Sequence, residues 1–341
     1  MIKEKIDFKK KINSVIFHHY KNCKKYKKIL DLLNYDIKRE HDLKDQPFLP
    51  VNLFKEQDLI SIPEEKIYKT LNSSGTSDSK LSKIYLDKEN SERQIKALNS
   101  IMSEILGKNR LPMLIIDSPY KLKDRFKFNA KVAAINGFSF FGKNHTYLLN
   151  ENKSINYKLL NEFLNKYGHS PFLVFGFTFN IYENLILKLK LKNINKDFSN
   201  GIILHGGGWK KMEYLKINSK DFNMKIKSKI NIKKIFNYYG LIEQTGSIFL
   251  ECNHCNCLKT NNYSEVIIRD KNLNILPPGK KGFVQLFSLL PSSYPGHIIL
   301  TEDVGEIIKN NNEDCNFCKN KTRFRIHGRF EKSVVRGCSD V

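Results

Sequence analysis

Three short apolar runs, Pro112–Asp117, Pro171–Gly176 and Gly201–His205, limit what this chain can become. None alternates apolar with polar residues, as a strand with one wet face does, so each reads as a strand buried on both sides. Between and around them apolar residues recur at three- and four-residue spacing. Ile95, Leu98, Ile101, Met102, Ile105 and Leu106 share one face of a helix over Ser91–Leu106, and Tyr157–Tyr167 and Phe179–Leu191 read the same way. Strand and helix in alternation predict an α/β fold, a sheet covered by helices on both faces. Lys131–Ile135, followed by Gly137, reads as a helix end, and Phe138–Phe141 and Tyr147–Leu149 as short strands. Residues 2–35 read as basic helices that take in His18 and His19 as satisfied core or surface histidines. Pro47–Lys55 reads as an extended, proline-bracketed segment.

Charge is the next constraint. The 341 residues carry 58 basic against 35 acidic side chains, a net +23. Such an excess ordinarily points to an acidic partner. Here lysine is spread along the whole chain among Asn and Ile, arginine is scarce, and basic positions seldom alternate with aromatics. The charge is read as a habit of composition, and a basic, zinc-containing nucleic-acid-binding protein is the less favoured reading. The stretch Met1–Ile6 is charged from the outset, unlike a secretory signal. Leu111–Ile116 and Ile181–Leu191 are too short, or too interrupted by lysine, to span a bilayer. These features predict a cytoplasmic protein with no membrane span, and in a reducing compartment the seven cysteines point to metal or catalysis rather than disulfides.

Four loops carry polar chemistry. Leu71–Lys80 is a hydroxyl-rich turn centred on Gly75, ahead of a strand-like Ile84–Leu86. The hydroxyls of Ser73, Ser74, Thr76 and Ser77 and the loop's amides suit a polyphosphate, although an ordinary polar turn looks the same. It is not a Walker loop, because no Gly-Lys-Ser/Thr follows. Gly206-Gly207-Gly208-Trp209-Lys210 follows a strand and permits close backbone approach to a ligand. Tyr238-Tyr239-Gly240 with Glu243 offers a flat ring for a base and a carboxylate for magnesium. Ser293–His297 leads into an apolar strand, Ile298–Leu300, that ends in Thr301-Glu302-Asp303, where a carboxylate can accept from a ribose. Each also has a plain structural reading: core aromatic, cap or solvated acid.

Taken in order, these stretches resemble the adenylate-forming ligases. Ser74–Ser77 is similar to that superfamily's phosphate-binding loop and Tyr239–Glu243 to its aromatic-Gly-x-Thr-Glu segment. Thr301–Asp303 is similar to its ribose-binding segment and Gly328–Glu331 to the entry into its hinge. Together with Pro47–Lys55, Gly206–Lys210, Tyr294–His297 and Arg336–Ser339, they resemble more closely the LuxE-type acyl-protein synthetases. The resemblance implies a large N-terminal domain like that of the adenylate-forming ligases, without most of the superfamily's small C-terminal domain; a small β-rich zinc-bearing region is expected beside it from the spacing of the cysteines. It implies ATP and Mg2+ as cofactors, a fatty or other carboxylic acid as substrate, and an acyl reductase or another acyl-accepting protein as partner, with no nucleic acid. Acyl/aryl-CoA or carrier-protein ligation from the same site is the alternative.

By the same resemblance Ser73, Ser74, Gly75, Thr76, Ser77 and Lys83 hold phosphates, and Gly207, Gly208, Tyr239, Gly240, Asp303 and Arg329 frame the nucleotide. Glu243 positions magnesium, and Cys338 takes the acyl group. Asp78 stands where a second glycine is usual, Ile242 where threonine is, and Lys83, Lys210 and Arg329 are the candidate cations at the α-phosphate.

The cysteines divide by spacing. Cys252/Cys255 and Cys315/Cys318 are two C-x2-C knuckles suited to a structural zinc, with Cys257 or His254 as substitutes. Cys338 stands apart beside Arg336, where a cation favours the thiolate. Cys23 reads as a bystander. The expected organisation is a basic helical segment 1–46, an adenylation core 47–250, a β-rich end with the knuckles 251–327, and a hinge and acyl-acceptor tail 328–341.

Overall fold

The computed structural model describes residues 2–73, 80–119, 130–194, 197–208, 217–309 and 315–330. Its strands are β1 (Leu49–Pro50), β2 (Lys69–Asn72), β3 (Lys83–Leu86), β4 (Leu111–Ile115), β5 (Gly142–Tyr147), β6 (Phe172–Phe177) and β7 (Gly201–Gly206). They continue as β8 (Lys234–Tyr239), β9 (Phe249–Glu251), β10 (Leu258–Lys259), β11 (Ser264–Arg269), β12 (Lys281–Ser288), β13 (Ile298–Ile307) and β14 (Arg323–Arg329).

One sheet takes all but two of these, in the order β11-β12-β13-β14-β10-β9-β8-β7-β6-β4-β5, with β1 alongside β13. From β5 to β8 the neighbours run parallel, and from β8 to β11 antiparallel. The chain leaves β4 for β5 on one side and returns past it to β6 on the other, so the strand order reverses at β4. In open α/β sheets ligands collect at the carboxyl ends beside such a reversal. β2 and β3 form a separate hairpin.

The apolar runs behave as their composition dictates. β6 and β7 are buried at every residue. Alternate side chains supply two cores. Leu114, Ile116, Phe172, Val174 and Ile203 pack with Leu160, Phe163, Phe222 and Ile226 on one face. Met113, Ile115, Leu173, Phe175 and Leu204 pack with Ile101, Met102 and Phe138 on the other. The helix Lys88–Leu106 starts where Asp87 accepts from the amide of Asn90 and stops at Gly107. Ser219–Ile230 is capped by Asn218 and ends at a left-handed Asn231. The first two helices, Ile2–Asn22 and Lys24–Leu32, lay Ile12, Ile16, Tyr26 and Leu30 against Phe287, Tyr294, Ile298 and Ile299 of the antiparallel half. His19 is buried in that contact, held by Ser61 Oγ at 2.7 Å and stacked on His297, while His18 Nε2 meets the carbonyl of Ser292 at 2.7 Å.

Several local expectations are corrected. Phe138 belongs to a helix, Ala130–Ser139, because it packs on Phe175 and Tyr238 from the face of the sheet; the strand that follows is β5. Thr178–Ile181 continues as a π-helix over Tyr182–Lys188, where a regular helix was read. Pro47–Lys55 is extended only through β1 and then makes a helical turn, Leu53–Glu56. Asp303 lies within β13 rather than at a strand's end, since pairing with β12 and β14 extends that strand to Ile307.

Candidate active site and metal centre

The carboxyl edge of the parallel strands is built to admit a ligand. β7 runs into Gly206-Gly207-Gly208, and Gly207 and Gly208 both take positive φ, +81° and +69°. A Cβ on Gly207 would stand 2.6 Å from the Phe177 ring, so only glycine fits that turn, whereas one on Gly208 would face open space. β8 ends next door in Tyr239 and Gly240, and one turn of 3-10 helix, Ile242–Gln244, sets Glu243 inward. Gly296 presses so close that a Cβ there would meet the Glu243 carbonyl at 2.4 Å, and Gln244 donates to the Gly296 carbonyl at 2.9 Å. The segment before β13 thus braces the turn that carries Glu243.

Tyr239, Asp303 and Arg329 form one cluster. The Tyr239 hydroxyl donates to Asp303 Oδ2 at 2.5 Å, and Arg329 Nε lies 3.7 Å from Asp303 Oδ1, its register partner across β13 and β14. The Asp303 amide donates to Thr301 Oγ1 at 3.1 Å. Burial raises the Asp303 carboxyl pKa, against the pull of Tyr239 and Arg329, and burial with Asp303 raises the Tyr239 phenol. Glu243 is buried, and desolvation raises its pKa as well; the Ser82 hydroxyl, Lys55 and Arg329 act in the opposite direction. A buried carboxylate among a hydroxyl and two cations can take a divalent ion, and a half-buried carboxylate with an aromatic hydroxyl can take a sugar.

The structure therefore brings together Glu243, Tyr239, Gly240, Asp303 and Arg329. Ser73 and Lys83 sit at the base of the β2–β3 hairpin, where the amide of Ser82 donates to Ser73 Oγ at 2.8 Å and Lys83 lies 3.9 Å from Asp58. Ser74, Gly75, Thr76, Ser77, Lys210 and Cys338 lie outside the described residues. Ser82 and Lys55 also act on Glu243, and Asn52 accepts from Lys55 at 2.5 Å, neighbours the sequence does not single out. Asn52 and Lys55 are three apart, a spacing that one helical turn puts on one side, and that turn was read as extended.

The knuckles meet. Cys252 and Cys315 bring their sulfurs to 3.7 Å, Cys255 and Cys318 to 3.6 Å, and all four lie within 4.8 Å of one another. Four thiolates about 2.3 Å from a tetrahedral zinc have sulfurs about 3.8 Å apart, so the cluster fits such an ion. Hydrogen bonds from Cys318 and from the amides of Cys255 and His254 lower the Cys252 thiol, whereas burial and the neighbouring thiols raise Cys255 and Cys318, so without a cation among them these thiols do not ionise together. Neither substitute is used: Cys257 Sγ turns to the Cys255 carbonyl at 3.1 Å, and His254 stacks flat on Phe317, centroids 3.7 Å apart. Cys23 is buried between the first two helices.

A family model described as "Acyl-protein synthetase, LuxE" matches residues 2–341. The chain belongs to the LuxE acyl-protein synthetase family. No curated protein sequence matches it. Among solved structures this LuxE-family chain is similar to 2-hydroxyisobutyryl-CoA ligase in an open conformation in complex with 2-HIB-AMP and CoA. The TM-score is 0.70 at 11% identity, over 96% of this chain and 70% of that one. It is also similar to the amide bond synthetase McbA from Marinactinospora thermotolerans, with TM-score 0.52 and 15% identity over 78% of this chain and 49% of that one. ATP-bound MatB from Rhodopseudomonas palustris gives 0.50 and 12%, over 79% and 49%. At these identities the likeness is one of fold, that of the adenylate-forming ligases. No helix among the described residues is long and apolar enough to cross a membrane.

Proposed function

We propose that this LuxE-family chain activates a carboxylic acid, a fatty acid by the family resemblance, as an acyl-adenylate. An acid oxygen attacks the α-phosphorus of ATP, the α–β P–O bond breaks, and pyrophosphate leaves. Cys338 thiolate then attacks the acyl carbon, forming a thioester and releasing AMP. The acyl group passes on to an acyl reductase or another acyl-accepting protein. The observation that carries this reading is the convergence of Glu243 with the Tyr239–Asp303–Arg329 cluster beside the glycine turn of β7. Asp303 and Tyr239 hold the ribose and flank the base, and Gly207 and Gly208 open the backbone to the nucleotide. Ser73, Ser74, Gly75, Thr76, Ser77 and Lys83 cradle the phosphates. Glu243 would hold magnesium, which neutralises charge on the departing pyrophosphate. The four knuckle cysteines hold a structural zinc.

Carboxylate-dependent exchange of pyrophosphate into ATP, measured across a panel of acids, tests the first step. No exchange with any acid would overturn it. The second step is tested by labelled acid with ATP and magnesium. The chain itself should take up label that neutral hydroxylamine releases, and Cys338→Ser should lose the label while keeping exchange. Equal labelling of Cys338→Ser would overturn the thiol assignment, and label appearing on added coenzyme A without self-labelling would make the chain a CoA ligase.

A further inference from the structure

We propose that Lys55, in the approach segment that precedes both glycine-rich loops, contacts the phosphates of bound ATP; the proposal rests on the adenylation reading above. β1 pairs in parallel with β13, Leu49 against Ile299 and Pro50 against Leu300, and the Val51 amide donates to the Leu300 carbonyl at 3.0 Å. That register lays Asn52 beside Glu302, the neighbour of Asp303. The Asn52 amide nitrogen donates to Glu302 Oε1 at 2.5 Å, which turns its oxygen the other way, to accept from Lys55 Nζ at 2.5 Å. Asn52, in the turn after β1, and Glu302, on β13, thus aim one ammonium group.

Two other cations of the site are matched to acids: Lys83 lies 3.9 Å from Asp58 and Arg329 3.7 Å from Asp303. Lys55 is held instead by a neutral amide. An ammonium has three donors. Among the described residues its hydrogen bond to Asn52 uses one, so donors remain for an anion. Its charge reaches Glu243, and with Phe54, Glu56, Asp58, Lys80, Leu81 and Lys83 it lines a depression of about 270 Å³ at the foot of the β2–β3 hairpin, where three lysines stand against two acids. Fixing a lysine side chain forfeits rotamer freedom. A surface lysine with no ligand has no use for two residues devoted to that end.

The test is calorimetric binding of Mg·ATP and of AMP to the full chain. Lys55→Met should weaken Mg·ATP by about ten- to a hundredfold, the loss expected of a charged hydrogen bond, and AMP by less than about threefold. Lys55→Arg should keep most of the affinity for Mg·ATP. Asn52→Ala, which removes the oxygen that holds Lys55 and adds no charge, should weaken Mg·ATP more than AMP while the chain stays folded. Equal weakening of ATP and AMP would reduce Lys55 to a structural role and overturn the proposal, as would unchanged Mg·ATP binding in Lys55→Met. Failure of the parent chain to bind Mg·ATP would overturn the adenylation reading and this one together, and so is told apart from failure of Lys55 alone.

Discussion

Tyr239 donates its hydroxyl to Asp303 at 2.5 Å although their strands are not neighbours: β9, β10 and β14 stand between β8 and β13 in the sheet. The contact requires the sheet to curl between β8 and β13, a span that includes the three residues of β9 and the two of β10. The parallel half, with its glycine turn, is thereby brought against the antiparallel half, with its Asp-Arg pair. Tyr239→Phe keeps the ring and removes the link. It should cost about 1.5–3 kcal/mol, the worth of a hydrogen bond to a charged group, and slow exchange more than tenfold. A Tyr239→Phe chain with parental melting and exchange would show that the two halves need no such tie.

Glu243 predicts a conflict between stability and activity. Its folded pKa is raised by burial above the ordinary 4.5, so the folded chain holds that proton more tightly than the unfolded chain does. As pH rises from about 4.5 through the raised value, the parent loses stability by ionising a buried group. Glu243→Gln has nothing to ionise. It should match the parent in melting temperature near pH 4 and exceed it near pH 7.5, while losing exchange by about two to three orders of magnitude, as when a charge-stabilising group is removed. A variant less stable than the parent at pH 7.5 would mean that the carboxylate is well solvated in the folded chain.

Histidines give the opposite sign. Burial pushes His205 and His297 down to about 3. Between the unfolded value of about 6.5 and that folded value, falling pH protonates the unfolded chain alone, so stability drops by about 1.4 kcal/mol per unit for each. His297 stacks on His19 at 4.7 Å and meets the Tyr26 hydroxyl at 3.0 Å, the contact that holds the first helices to the antiparallel half. His297→Phe should cost stability at pH 7.5, where that hydrogen bond is lost. It should also flatten the fall between pH 7.5 and 5 by about 2 kcal/mol, read by chemical denaturation at both values. The carboxyls are common to both chains, so the difference isolates His297. An unchanged slope would mean His297 titrates alike in the folded and unfolded states.

The parts legible in the sequence are those set by local composition. Pro171–Gly176 and Gly201–His205 read as buried strands from their length and composition, and the knuckle cysteines come together as their spacing suggests. What escaped depends on register between distant segments. Asn52 and Lys55 gain meaning only because β1 pairs with β13, and the His19–His297 stack joins residues at opposite ends of the chain. Phe138–Phe141 was misread because a short apolar run has no period to separate helix from strand. The position of Asp303 inside β13 was hidden for a similar reason: the polar Thr301-Glu302-Asp303 reads as a strand's end until its partners on β12 and β14 are known.

The metal site makes the last prediction, because of where it lies. Cys252 follows β9, Cys255 sits in the turn to β10, and Cys315 and Cys318 immediately precede β14. Those strands lie within the curled span between β8 and β13, and β14 ends in Arg329. A zinc ion there would pin the curl and, through it, the approach of Tyr239 to Asp303. Purified chain should carry about one zinc, and Cys315→Ser should lose both the metal and several kcal/mol of stability. It should also lose nucleotide binding, although no cysteine of the knuckles touches the candidate site. Chelation of the parent should reproduce the loss, and zinc, not magnesium, should restore it. If metal-free chain binds Mg·ATP as tightly as the zinc form and melts at the same temperature, the four thiols neither hold the curl nor support the site.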